Sequence, residues 1–172
     1  REKEIYYDKN GKTMERKDVL FASKRIHYNA DGRVIKELYF DINGNLVISS
    51  YGFAGFTREY NSQNQIIKET YLGVDQKPTK ISKGYAGVLR NYDEFGNLCD
   101  EKYFDEDGNQ VVCYAGYAEV KREYNDIQKV IKESYWDING NPCSSVDGYH
   151  ASINMYDEKG NNIKETYLLI NS

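Results

Sequence analysis

Proline, methionine, histidine, cysteine and tryptophan are all scarce. The chain of 172 residues holds two Pro, two Met, two His, three Cys and one Trp. Cys99, Cys113 and Cys143 are odd in number and irregular in spacing, and no C-x-x-C occurs. A disulfide framework and the usual zinc patterns are therefore excluded. The cysteines read instead as half-buried thiols standing in for Val or Ile, which suits a reducing compartment or the surface of an anaerobe. No apolar run approaches the roughly 20 residues of a membrane helix, so no membrane insertion is expected. The first residues, REKEIYYDKN, carry no apolar signal-peptide region. Nor is there an excess of basic charge: 23 Lys and Arg stand against 27 Asp and Glu, for a net charge of −4. The two signs are interleaved, so neither a nucleic-acid footprint nor a polybasic membrane-binding segment is present.

What the chain does have is tyrosine, 17 of them, with six Phe and 14 Gly. Such an aromatic content argues against disorder, and the dearth of Leu and Ala argues against a helical bundle. The tyrosines are periodic. Glu-x-Tyr recurs at Glu37, Glu69, Glu101, Glu133 and Glu165, a constant period of about 32 residues. A first copy at Glu4 lies one residue further away. Tyr28, Tyr60, Tyr92, Tyr124 and Tyr156 keep the same period. The chain is thus a tandem array. Its units run at about 3–35, 36–67, 68–99, 100–131 and 132–163, with a terminal half-unit at 164–172, all in one array over 1–172.

Each unit carries two turn signals. One is D-x-N-G-N, as at 41–45; the other is D/N-x-x-G-N, as at 93–97 and 157–161. Gly or Asn near the end of each supplies the positive φ of a type I turn with a G1 bulge. The runs between turns are short and rich in Tyr, Ile, Val and Thr, which makes them strands. With Asp93 and Asn97 closing a turn, the spacing predicts Tyr92 opposite Leu98, Arg90 opposite Asp100 and Leu89 opposite Glu101. The expected fold is all-β: an elongated solenoid of antiparallel hairpin repeats, each covering its neighbour. Unit 68–99 departs most, because YLGVDQKP replaces the first turn.

At YFDINGN, YFDEDGN and YWDINGNP, each followed by GFA, GYA or GYH, the chain resembles tandem cell-wall-binding repeats. At YDEFGN, YDEKGN and YNADGR it resembles YD repeats. The resemblance implies a β-hairpin module of the kind appended to bacterial surface proteins and wall-polysaccharide glycosyltransferases. It implies a bacterial polysaccharide as partner and a location at the cell surface or wall, or in the cytoplasm as a glycosyltransferase appendage. Self-association, or attachment to a larger parent protein, fits the same class.

Candidate chemistry is thin. A Glu present in every unit is a strand contact, with Arg58, Arg90 and Arg122 as its expected partners, and not one of a catalytic pair. Asp105, Asp107 and Asn109 resemble the start of a calcium loop, but Gln110 and Gly116 stand where such a loop needs Gly and Glu; asparagine-type turn capping is the simpler role. His150 occupies the place of Ala54, Ala86 and Ala118, so with Cys143 it forms no nucleophilic pair of distinctive spacing. No catalytic residue, metal or cofactor is expected, and the chain reads as no enzyme. The aromatics are the binding candidates. Phe53, Tyr85, Tyr117 and Tyr149 of the G-Y-A step, together with Trp136, are the expected platform for sugar rings. The alternative is a structural or protein-interaction array with no carbohydrate ligand.

Overall fold

A computed structural model describes residues 2–170. They fold without a helix into eleven strands, so the all-β reading holds. Two compact units divide the chain at Ser82 and Lys83, inside the repeat that departs most from the others. Unit 1 contains β1 (Glu2–Ile5), β2 (Ser23–Tyr28), β3 (Val34–Phe40), β4 (Gly55–Tyr60) and β5 (Ile66–Leu72). Unit 2 contains β6 (Gly87–Tyr92), β7 (Leu98–Phe104), β8 (Glu119–Tyr124), β9 (Val130–Trp136), β10 (Ala151–Tyr156) and β11 (Asn162–Leu168). Within each unit every strand pairs antiparallel with the next.

The tight hairpins close as the turn chemistry dictates. At 93–97 the Asp93 and Gly96 amides bond to the Asn97 and Asp93 carbonyls, while the Asp93 carboxylate accepts the amides of Phe95 and Asn97. These main-chain donors stabilise the charged carboxylate. In Asp93 the bond from the Asn97 side chain is the largest of several effects that hold it below the usual range; in Asp41 and Asp105 the leading effect is a main-chain amide. Asp105 is thus occupied as a turn cap, accepting Asp107 and Asn109 amides at 3.0 and 2.8 Å. Gly96 adopts φ +89°, the left-handed region in which an L side chain is strained.

One sequence-based expectation is corrected here. Tyr92 does face Leu98, but the register then shifts, so that Asn91 faces Asp100, Arg90 faces Glu101 and Leu89 faces Lys102. The bulge adds one residue to β7, and a one-residue slip exchanges the faces of everything beyond it. The same shift occurs in β2–β3, β4–β5, β8–β9 and β10–β11. Its effect is to bring Val88, Arg90, Glu101 and Tyr103 onto one face of the sheet.

That face, the tyrosine face, holds one part of the core. Val88 and Val120 are fully buried on it, beside Ala86 and Ala118. In unit 1, Val19, Phe21 and Tyr39 pack with Tyr6, Val47 and Phe53. On the reverse face Leu38, Phe40 and Leu72 gather around Leu46.

Candidate functional site

Along the tyrosine face the two aromatic sets, E-x-Y and G-Y-A, alternate in a single stack within each unit. In unit 1 it runs Tyr6, Phe21, Tyr39, Phe53, Tyr71, with Phe21 on Tyr39 at 4.5 Å and Phe53 beside Tyr71 at 4.9 Å between centroids. In unit 2 it runs Tyr85, Tyr103, Tyr117, Tyr135, Tyr149, Tyr167. Tyr117 and Tyr135 are nearly parallel, 15° apart at 4.4 Å. Sugar stacking needs an open ring face. Phe53, Tyr85, Tyr117 and Tyr149 each have a ring of the E-x-Y set at 4.4–4.9 Å between centroids, so these four candidates take part in the packing of each unit. Phe21 belongs to the same set, and its place one period before Phe53 is the signal that identifies it.

Beside the stack runs a line of alternating charge. In unit 2, Arg90 donates to Glu101 at 3.1 Å, Arg122 bridges Glu101 at 3.0 Å and Glu133 at 2.7 Å, and the Tyr135 hydroxyl donates to Glu133 at 2.7 Å. In unit 1, Lys24 lies between Glu4 and Glu37, and Arg58 pairs with Glu69 at 2.9 Å. The Glu–Arg contacts expected from the repeat are therefore present. Burial, which would lower the Arg122 pKa, is outweighed by Glu133 and Glu101, so the guanidinium stays charged. Burial pushes the Tyr117 hydroxyl up to about 12 and raises Tyr39, Tyr103 and Tyr135 further. Glu101 is thereby held between two cations, Arg90 and Arg122.

The reverse face differs in kind. Strand alternation places Arg25, His27, Lys36, Leu38 and Phe40 there in unit 1. The corresponding residues of the next repeat, Thr57, Glu59, Lys68, Thr70 and Leu72, follow on the same face. In unit 2 the face shows Asp100, Lys102 and Phe104, then Lys121, Ser134 and Trp136. Repeats that agree on the tyrosine face thus disagree here. Trp136, alone among the stacking candidates, lies on this side; Lys121 sits over its ring at 4.4 Å, and its indole N–H donates to Ser134. In unit 1 the same pairing recurs as Arg25 over Phe40 at 4.3 Å.

Unit 2 also holds a departure from charge alternation. Asp100 stands where the other repeats have Lys36, Lys68, Lys132 and Lys164, and Glu119 stands where they have Gly55, Gly87 and Ala151. Burial, with the nearby Glu119 carboxylate, raises the Asp100 pKa. Lys121 approaches Glu119 at 3.2 Å, and Asn91 donates to Asp100. The three cysteines are free. Burial raises Cys99 and Cys143 above ordinary thiols, which leaves them poor nucleophiles.

No family model matches the chain, and no curated protein matches it in sequence. Among solved structures it is similar to a chain in a mutant Photorhabdus luminescens Tc holotoxin pore, at 13% identity and a TM-score of 0.43. The match covers 96% of this chain and 9% of that one, so the chain spans less than a tenth of its length.

Proposed function

We propose that this is a non-catalytic repeat module that binds a bacterial cell-wall or capsular glycan through the reverse face of each unit. The observation that carries the reading is the division between faces. Tyrosines, glutamates and arginines on one side repeat and satisfy each other, whereas the other side varies in charge and size around Phe40, Phe104 and Trp136. Aromatic rings flanked by Lys102, Ser134 and Lys121 offer both stacking and hydrogen bonds, the combination a sugar ring uses. Repeated shallow contacts suit an extended polymer, because tethered sites raise effective concentration. The resemblance of the turns to wall-binding repeats supports a location at the bacterial surface. The test is binding of the full chain to purified wall and capsular polysaccharides. Trp136→Ala should weaken binding at least tenfold with the fold intact. Equal binding, or none by wild type, would refute the proposal.

A second reading, a protein-docking array, is favoured by the turn tips. Phe95 and Ile127, one period apart in unit 2, are both exposed, as are Ile42 and Val74, equally spaced in unit 1. Self-association lost on changing Phe95 and Ile127 to Ser, with no glycan bound by wild type, would favour it.

A further inference from the structure

On the reverse face of unit 1 is a hollow of about 260 Å³ lined by Arg25, His27, Lys36, Leu38, Phe40, Leu46 and Gln76. Its floor is apolar, and the charged or chargeable residues around it are basic. Among the described residues, no carboxylate lines it. Glu59, on the neighbouring strand, is engaged by Lys68 at 3.1 Å. The Arg25 guanidinium carbon lies 4.3 Å from the Phe40 ring centroid, which sets the cation at the hollow, and its forked N–H groups suit a planar or tetrahedral anion.

This composition is not a by-product of the repeat. Positions equivalent to Arg25 are Thr57, Leu89, Lys121 and Ile153; those equivalent to His27 are Glu59, Asn91, Glu123 and Met155. Only this repeat joins Arg25 and His27 to a lysine at the place of Lys36. The fourth polar group comes from an unusual turn. Gln76 adopts φ +62° at the place where Gly44, Gly108 and Gly140 occupy the same left-handed conformation. A glutamine there is strained where glycine would not be. Its side-chain oxygen accepts from the Lys36 ammonium at 3.0 Å, which holds that ammonium at the rim. Charge, shape and strain therefore converge on one place.

We infer that this hollow binds an acidic sugar residue, one carrying a carboxylate or phosphate on a pyranose-sized ring. Arg25 and Lys36 take the anion, and Leu38 with Leu46 takes the apolar ring face. The inference rests on the glycan reading and narrows it to acidic polymers. It also makes binding salt-dependent, because the contacts are partly ionic and open to solvent.

The experiment is titration of the full chain, followed by amide chemical shifts, with glucuronate oligomers, glucose 1-phosphate and neutral glucose oligomers. The acidic probes should bind at least tenfold more tightly than the neutral one and shift Arg25, Lys36 and Gln76; whichever acid binds tighter identifies the anion. Arg25→Thr with Lys36→Asp borrows residues that sibling repeats already carry at these places, so the fold should persist. That variant should lose the acidic preference while keeping neutral wall-glycan binding. Gln76→Gly should raise thermal stability yet weaken acidic binding, a split that a purely structural glutamine would not produce. Equal affinity for acidic and neutral oligomers, or no change in the double variant, overturns the inference. Loss of acidic preference alone leaves the glycan reading standing, whereas absence of any saccharide binding removes both.

Discussion

Tyr124 donates its phenolic hydrogen to the main-chain carbonyl of Leu98, 2.8 Å away and 26 residues earlier in the chain. Tyr60 does the same to Val34, and Tyr156 to Val130. At these three places the periodic tyrosine is thus a latch, fastening its hairpin to the strand before it. Tyr124→Phe should cost about 1 kcal/mol, since the carbonyl loses a donor without a change in packing. Urea denaturation of the full chain measures it, and an unchanged midpoint would show that water replaces the hydroxyl.

Arg122 is the keystone of the charged line in unit 2. Removing it leaves Glu101 and Glu133 facing each other across a partly buried seam. Arg122→Ala should destabilise by roughly 2–3 kcal/mol, less than for a fully buried pair because solvent still reaches these side chains. Arg122→Met, which restores the bulk but not the charge, should remain nearly as damaging. A Met variant close to wild type in stability would mean that packing, and not charge, is the arginine's contribution.

Asp100 gives a prediction in pH. Its folded pKa lies above the ordinary value of 3.8, so the folded state takes up a proton more readily than the unfolded chain. Its unfavourable contribution is therefore greatest at neutral pH and relaxes as pH falls through the raised pKa toward 3.8. Asp100→Asn should stabilise the chain near pH 7, by less than about 1 kcal/mol once solvent screening is allowed for, and the gain should vanish near pH 3. The turn carboxylates Asp41, Asp93, Asp105, Asp137 and Asp157 have the opposite sign. Their stabilisation is full above 3.8 and fades as pH falls through their lowered values. Comparing variant with wild type across pH isolates Asp100, and a gain that persisted in acid would contradict the assignment.

Deleting residues 100–131 removes one period and joins Cys99 to Lys132. Glu133 then takes the place of Glu101 opposite Arg90, and Tyr135 that of Tyr103 beside Tyr85. The shortened chain should fold with one cooperative transition in thermal unfolding, since each repeat leans on its neighbours. Deleting only 100–123 leaves the remaining repeats out of phase, and should abolish that transition.

Much of this architecture was legible in the sequence because it depends on local chemistry repeated along the chain. Asp and Gly at fixed offsets announce the turns, and a Glu that returns at every period announces a structural contact. The bulge was also implied by the turn type, yet its effect on partners was not: Arg90 faces Glu101 only because one added residue in β7 resets the alternation. The merger of Tyr85 with Tyr103 into one stack depends on how the segment before β6 folds back, which spacing does not encode. Gln76 was visible as a departure from the turn motif. Its partnership with Lys36, 40 residues away, belongs to tertiary geometry alone.

The aromatic stack has an optical consequence. Rings separated by 4.4–6.0 Å in unit 2 are near enough for their electronic transitions to couple, so the tyrosines absorb as an array. Circular dichroism in the tyrosine bands should be strong for a protein of this kind, and should distort any strand content read from the far ultraviolet. Tyrosine excitation should pass in part to Trp136, on the opposite face of unit 2. Its emission should then report on the order of the unit 2 stack.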